Sequence, residues 1–392
     1  MPSLSLTPAT TLPADADRAT LAGRVWRPEM QGPSVVAIRG DEVVDVTRAF
    51  PTMRDLCESP DPAAALAAAS GESLGSLAAI LANTPPDGRD AARPWLLSPL
   101  DLQAVKAAGV TFAVSMLERV IEEKARGNPA AAAEIRGEIG KLIGDDLSKL
   151  KPGSPEAMRL KEVLVAQGAW SQYLEVGIGP DAEIFTKAQP MSSVGTGADA
   201  GLHPSSTWNN PEPEVVLIVS SSGAIVGATL GNDVNLRDVE GRSALLLGKA
   251  KDNNGAAAIG PFIRLFDAHF SLDTIRRSTV TLTVEGEDDF KLEGSSSIGR
   301  ISRDPADLVG QMIGPHHQYP DGAALYLGTM FAPIQDRDAP GGGFTHKQGD
   351  IVTIAAPELG SLVNRMRRTD ACEPWTFGTS HLMRNLAARG LL

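Results

Sequence analysis

Pro211-Glu212-Pro213-Glu214 runs directly into Val215-Val216-Leu217-Ile218-Val219. A polar turn, Ser220 to Gly223, leads to Ala224-Ile225-Val226-Gly227-Ala228-Thr229-Leu230-Gly231-Asn232-Asp233. Two apolar, β-branched runs around a Ser/Gly turn predict a β-hairpin. Glu212 and Glu214 are two apart, so an extended chain points both to one face. Asp233 closes the second run, and the fold-back returns it to the hairpin mouth beside the glutamates. Three converging carboxylates repel one another, and a hard divalent cation with oxygen ligands relieves that repulsion. Mg²⁺ is the expected ion, with Mn²⁺ an acceptable substitute, and Glu212, Glu214 and Asp233 are the expected ligands. A bare Glu-x-Glu is common on exposed hairpin ends, so the reading depends on the residues C-terminal to the hairpin.

Those residues are Asn232-Asp233-Val234-Asn235-Leu236-Arg237-Asp238 and then Gly248-Lys249-Ala250-Lys251-Asp252. With Pro-Glu-x-Glu and the hairpin, this order resembles the signature of the fumarylacetoacetate hydrolase family. Each piece alone is weak, and the four in order are specific. Further on, Glu183 to Pro190, Gly260-Pro261, Gly328-Thr329, Gly349-Asp350-x-Val352 and Gly360-x-Leu362-x-Asn364 resemble other family segments. The resemblance spans roughly 112–364. It implies an α+β fold, a mixed β-sandwich roll with the carboxylates at its open end, carried by residues 100–392. Residues 1–99 are expected to form a smaller N-terminal α/β module.

The resemblance also carries functional expectations. Family members act on 2-oxo acids or β-diketone relatives. Lys249 matches an active-site lysine, although read alone it is equally a surface lysine beside Lys251. Ser115, Lys187, Arg237, Asp252 and Thr329 are expected at the substrate. The family's water-handling His–Glu dyad is matched by Ser115 and Glu118, so the glutamate is kept and the histidine is replaced. Serine does not titrate near neutrality, which argues against C–C bond hydrolysis and leaves Glu118 or Lys249 as the proton-transfer group. These departures, with the segment Trp170 to Glu175, resemble the sugar-acid dehydratases of the family. The implied reaction converts a 2-keto-3-deoxy-D-pentonate to 2,5-dioxopentanoate in oxidative pentose breakdown. A C–C hydrolase of acylpyruvates or fumarylacetoacetate-like diketo acids is the alternative.

Composition narrows the field. The 392 residues are 42% apolar and 21% charged, ordinary for a chain with a sizeable core. A net charge of -12 argues against nucleic-acid or anionic-membrane partners. A small 2-oxo acid is the expected partner, and a homo-oligomer (dimer or tetramer) is expected from the resemblance. Cys57 and Cys372 make neither a disulfide framework nor a zinc site. No apolar run is long enough to span a bilayer, and Met1 to Asp17 lacks the pattern of a secretory signal. A cytoplasmic location is expected. Gly195-Thr196-Gly197 to Gly201 has dinucleotide-loop spacing but no strand–helix context, so no nucleotide is expected.

Elsewhere, short strands are expected at Ala22–Trp26, Ser34–Ile38 and Glu42–Val46. Helices are expected at Ala63–Ala69, Leu74–Asn83, Val114–Ala125, Ala130–Leu142, Pro155–Ala166 and His381–Arg389. Residues 1 to about 20 are expected to be a loose arm.

Overall fold

The computed structural model describes residues 4–112, 116, 120–121, 123–125, 150–166, 168, 170–331 and 333–392. The expected helices Val114–Ala125 and Ala130–Leu142, together with Ser115 and Glu118, fall wholly or largely outside the described residues.

In chain order the strands are β1 (Leu21–Arg27), β2 (Gly32–Arg39), β3 (Glu42–Asp45), β4 (Glu72–Ser76), β5 (Trp95–Leu96), β6 (Ala104–Gly109) and β7 (Glu183–Ala188). Then come β8 (Asp199–Leu202), β9 (Asn209–Asn210), β10 (Pro213–Val219), β11 (Ile225–Asp233), β12 (Asn235–Leu236) and β13 (Ala257–Leu265). The last are β14 (Thr279–Glu285), β15 (Lys291–Ser297), β16 (Ala323–Tyr326), β17 (Ile351–Ala356) and β18 (Gly360–Arg368). One sheet runs β4-β3-β2-β1-β13-β11-β10-β16-β6-β7, with β5 on β1. It is mixed, because β16 and β6 run parallel and the other pairs antiparallel. A second sheet, β15-β14-β17-β18-β8, packs against it.

The expected hairpin is β10–β11. Its turn closes through Gly223 N–H to the Ser220 carbonyl at 2.9 Å, with Gly223 at φ 85°. Alternation along β10 sorts its residues between two cores. Val215, Leu217 and Val219 join Leu282, Val352 and Ile354 between the two sheets. Val216 and Ile218 face the other way, toward Tyr326 and the N-terminal helices Met53–Cys57 and Pro62–Ala68. The segment 1–99 thus shares a sheet with the rest of the chain, Leu21 pairing Arg264, and covers the hairpin face that carries the carboxylates.

Three local expectations are corrected. The loose arm is a packed N-terminus: Thr7 caps a helical turn at Pro8–Thr11, and Asp15 forks onto Arg264 at 2.7 Å through both carboxylate oxygens. Burial of Leu6 and Thr11 secures the turn, although its composition reads as linker. Leu74–Asn83 divides, since Glu72–Ser76 pairs with β3 and the helix begins only at Leu77, capped by Ser76. His381–Arg389 starts two residues early, as the helix Thr379–Ala388. Pro155–Ala166 forms the helix as expected.

Candidate metal centre at the hairpin mouth

Register brings the carboxylates together. Pro213 pairs Asn232 and Glu214 pairs Gly231. One rung further out, Asp233 N–H donates to the Glu212 carbonyl at 3.0 Å. The short pair β9–β12 continues the same register, Asn210 opposite Asn235. Residues two apart share a face, so Glu212, Glu214 and Asp233 all lie on the side of Val216. One oxygen from each lies within 4.8 Å of the others, and all three side chains are buried.

Gly231 and Gly328 make room for this arrangement. A Cβ on Gly231 would meet the Tyr326 ring at 2.3 Å, so only glycine lets that ring lie across the hairpin. Gly328 has φ 100°, and a Cβ there would meet Thr111 Oγ1 at 2.0 Å. Its N–H is thereby aimed at Glu214 Oε2 at 2.7 Å, and Thr329 Oγ1 lies 3.4 Å from Glu214 Oε1.

Two lysines offset the negative charge. Lys251 Nζ lies 2.5 Å from Glu212 Oε2 and 3.0 Å from Asp233 Oδ2. Lys187 Nζ lies 2.9 Å from Asp233 Oδ1, but its hydrogen bonds point to the Lys251 carbonyl (2.5 Å) and the Val234 carbonyl (3.2 Å). Burial lowers the Lys187 pKa, opposed by the Asp233 charge. Burial raises the Glu214 carboxyl well above the usual range, and the Asp233 and Glu212 charges push it further. Tyr326, whose hydroxyl donates to the Ala258 carbonyl at 2.8 Å, is raised by burial and by the Asp233 and Glu214 charges.

Three buried carboxylates converge here and present an all-oxygen donor set. That set fits a hard divalent cation such as Mg²⁺ or Mn²⁺. Among the described residues this is the one His/Cys/Asp/Glu group close enough to hold a metal.

The remaining expected site residues divide. Arg237 is buried beside β12, its guanidinium 4.4 Å over Trp208 and donating to the Pro333 carbonyl at 3.3 Å. Lys187 reaches the centre from beneath, as a buried counter-ion. Thr329 also reaches it, with its hydroxyl on Glu214. Asp252 is exposed at the end of the helix Leu247–Lys251, in contact with Gln189 at 3.3 Å.

Lys249 is corrected: it is exposed, and Lys251 is the lysine among the carboxylates. Two residues on a helix are about 200° apart, so turning Lys251 inward turns Lys249 out. The resemblance points to Lys249, but which of the two lysines enters the site depends on which face of a five-residue helix packs on the hairpin. Tyr326, whose ring lies against Gly231 beside the carboxylates, is a further member of the site that sequence reasoning does not single out.

Residues 183–367 match the family described as fumarylacetoacetate (FAA) hydrolase C-terminal. A 2-dehydro-3-deoxy-D-arabinonate dehydratase of Saccharolobus solfataricus is 32% identical over 189 residues, 47% of this chain and 59% of that protein. A Haloferax volcanii protein named "Probable 2-keto-3-deoxyxylonate dehydratase" is 29% identical over 192 residues, 49% of this chain and 62% of that protein. The matches thus span less than two thirds of either relative. The structure of a 2-keto-3-deoxy-D-arabinonate dehydratase complexed with magnesium and 2,5-dioxopentanoate has the same fold, at TM-score 0.60 and 22% identity, covering 89% of this chain and 99% of that one.

Proposed function

We propose that this chain, whose residues 183–367 belong to the fumarylacetoacetate hydrolase family, is a divalent-metal-dependent dehydratase. Its substrate is a 2-keto-3-deoxy-D-pentonate and its product 2,5-dioxopentanoate. The observation that carries the reading is the buried Glu212–Glu214–Asp233 group with Lys251 between two of its carboxylates. It lies within residues 183–367, the stretch that matches the family.

Glu212, Glu214 and Asp233 would hold the ion, Mg²⁺ or Mn²⁺. When bound, it supplies Lewis acidity toward an oxygen of the 2-oxo acid. The reaction needs one group to take a proton from C3 and one to protonate the C4 hydroxyl as it leaves as water. Loss of water leaves a C3=C4 double bond; moving a proton from C5 to C3 then gives the C4=C5 enol, which gains a proton at C4 and loses its hydroxyl proton to become the semialdehyde. Lys251 is the proposed proton-transfer lysine, because its protons already lie against two carboxylates. Glu118, matched by resemblance, is the proposed second group. Arg237 is proposed to steady the substrate's carboxylate through its charge.

Helices of the segment 1–99 pack behind the hairpin face, which supports a role in holding Val216, Ile218 and Tyr326 in place. The division into 1–99 and 100–392 is retained in this functional sense. No described helix is long and apolar enough to cross a membrane. A cytoplasmic homo-oligomer, dimer or tetramer, is proposed, and light scattering after gel filtration tests its size.

The test of function is incubation with 2-keto-3-deoxy-D-pentonate and Mg²⁺, following 2,5-dioxopentanoate through a coupled dehydrogenase. Product formation is expected. Absence of product, with pyruvate released from an acylpyruvate, would replace the dehydratase with a hydrolase.

A further inference from the structure

Two rungs beyond Glu212 and Asp233, on the same face of the ladder, stand Asn210 and Asn235. Both side chains are fully buried. Asn210 Nδ2 donates to the Pro211 carbonyl at 2.8 Å, and its Oδ1 has no partner. Asn235 has no partner for Nδ2 or for Oδ1. Directly opposed residues have Cβ atoms about 5 Å apart, so the three open amide atoms form one polar patch. Leaving such atoms unsatisfied is costly, and a folded chain retains them where something else completes them.

The chemistry of the patch selects its ligand. An anion wants donors only and a cation acceptors only. A neutral amide pair offers both, whichever way each amide is turned. The group that matches is a hydroxyl, which donates and accepts at one oxygen. Two residues of strand place the patch about 7 Å from the carboxylates, comparable with the length of a five-carbon chain.

We infer that Asn210 and Asn235 form a hydroxyl-recognising subsite, which selects 2-oxo acids carrying a hydroxyl at the end remote from the carboxylate. The inference rests on the proposed 2-oxo-acid reading of the metal centre and adds the feature that distinguishes sugar acids from plain 2-oxo acids. It assigns Asn210 and Asn235 to specificity, with no part in proton transfer.

The test is calorimetric binding of two probes in saturating Mg²⁺: 5-hydroxy-2-oxopentanoate and 2-oxopentanoate. Neither carries a C4 hydroxyl, so neither loses water across C3–C4. The native chain is expected to favour the hydroxylated probe by about ten-fold. Asn235→Leu, and the milder Asn235→Ser and Asn210→Ala, are expected to reduce that preference to about two-fold or less with 2-oxopentanoate affinity retained. Equal binding of both probes by the native chain overturns the inference. So does a preference that survives in the variants, or an equal loss of affinity for both probes. The two readings fail separately. A native chain that prefers the hydroxylated probe but forms no 2,5-dioxopentanoate from the pentonate retains the subsite and loses the dehydratase. One that dehydrates the pentonate without distinguishing the probes does the reverse.

Discussion

Glu212 and Asp233 occupy one rung of the hairpin, joined by the Asp233 N–H to Glu212 carbonyl bond at 3.0 Å, and the Lys251 ammonium bridges their carboxylates. Two residues from opposite strands therefore depend on one cation from a helix. The site is held in place by the hairpin register and by the docking of that helix.

The two lysines of that helix should behave oppositely. Lys251→Met is expected to cut turnover by on the order of 10²-fold or more. In the metal-free chain it should also cost about 3 kcal/mol, because buried charges lose their partner. Lys249→Met, at an exposed position, should leave both within error. Steady-state kinetics and denaturant unfolding measure the pair. Equal effects would remove Lys251 from the centre.

Metal binding should be readable as stability. At a Mg²⁺ concentration one hundred times Kd, the folded state gains about 2.7 kcal/mol, seen as a rise in Tm that EDTA reverses. The raised Glu214 carboxyl sets the pH sign. Protons compete with the ion for that carboxylate, so the Mg²⁺-induced shift should shrink as pH falls. Glu214→Gln should abolish most of the shift. A full shift in that variant would place the ion elsewhere.

Acid sensitivity should also arise away from the centre. The His346 ring is buried, with Nδ1 2.9 Å from Asp350, whose carboxylate Arg337 also grips at 2.7 and 2.8 Å. Burial lowers the His346 pKa; Asp350 opposes the shift and Arg337 adds to it. With the folded value below the ordinary 6.5, the unfolded chain takes up the proton first as pH falls. The contribution is therefore whole above about pH 6.5 and is lost on acidification toward the folded value, at no more than about 1.4 kcal/mol per pH unit. Unfolding from pH 8 to 5 should show this slope, and His346→Gln should flatten it.

Gly328→Ala should damage structure and site together. The added methyl meets Thr111 at a left-handed backbone position, a combined cost of roughly 1–3 kcal/mol. The N–H held against Glu214 moves with it. A stable variant with native Mg²⁺ affinity would show that this N–H does not set the Glu214 position.

The hairpin and its carboxylates were legible because both rest on local rules. Alternation assigns a face, and the Ser220–Gly223 turn assigns the fold-back, so Glu212, Glu214 and Asp233 converge without knowledge of the rest of the chain. Choosing between Lys249 and Lys251 needs the face of a short helix, which tertiary packing decides. Thr329 looks like a free hydroxyl in sequence, and only the strained loop at Gly328 turns it to Glu214. The packed arm at Pro8–Thr11 was hidden for the same reason. Its anchor, Arg264, lies far along the chain on β13.

The most direct measurement is turnover of 2-keto-3-deoxy-D-pentonate by EDTA-stripped protein during titration with Mg²⁺, plotted against calorimetric occupancy. Formation of 2,5-dioxopentanoate is predicted to rise from baseline in proportion to a single bound ion per chain. Full turnover by the stripped protein, or a filled site with no product, would contradict the account.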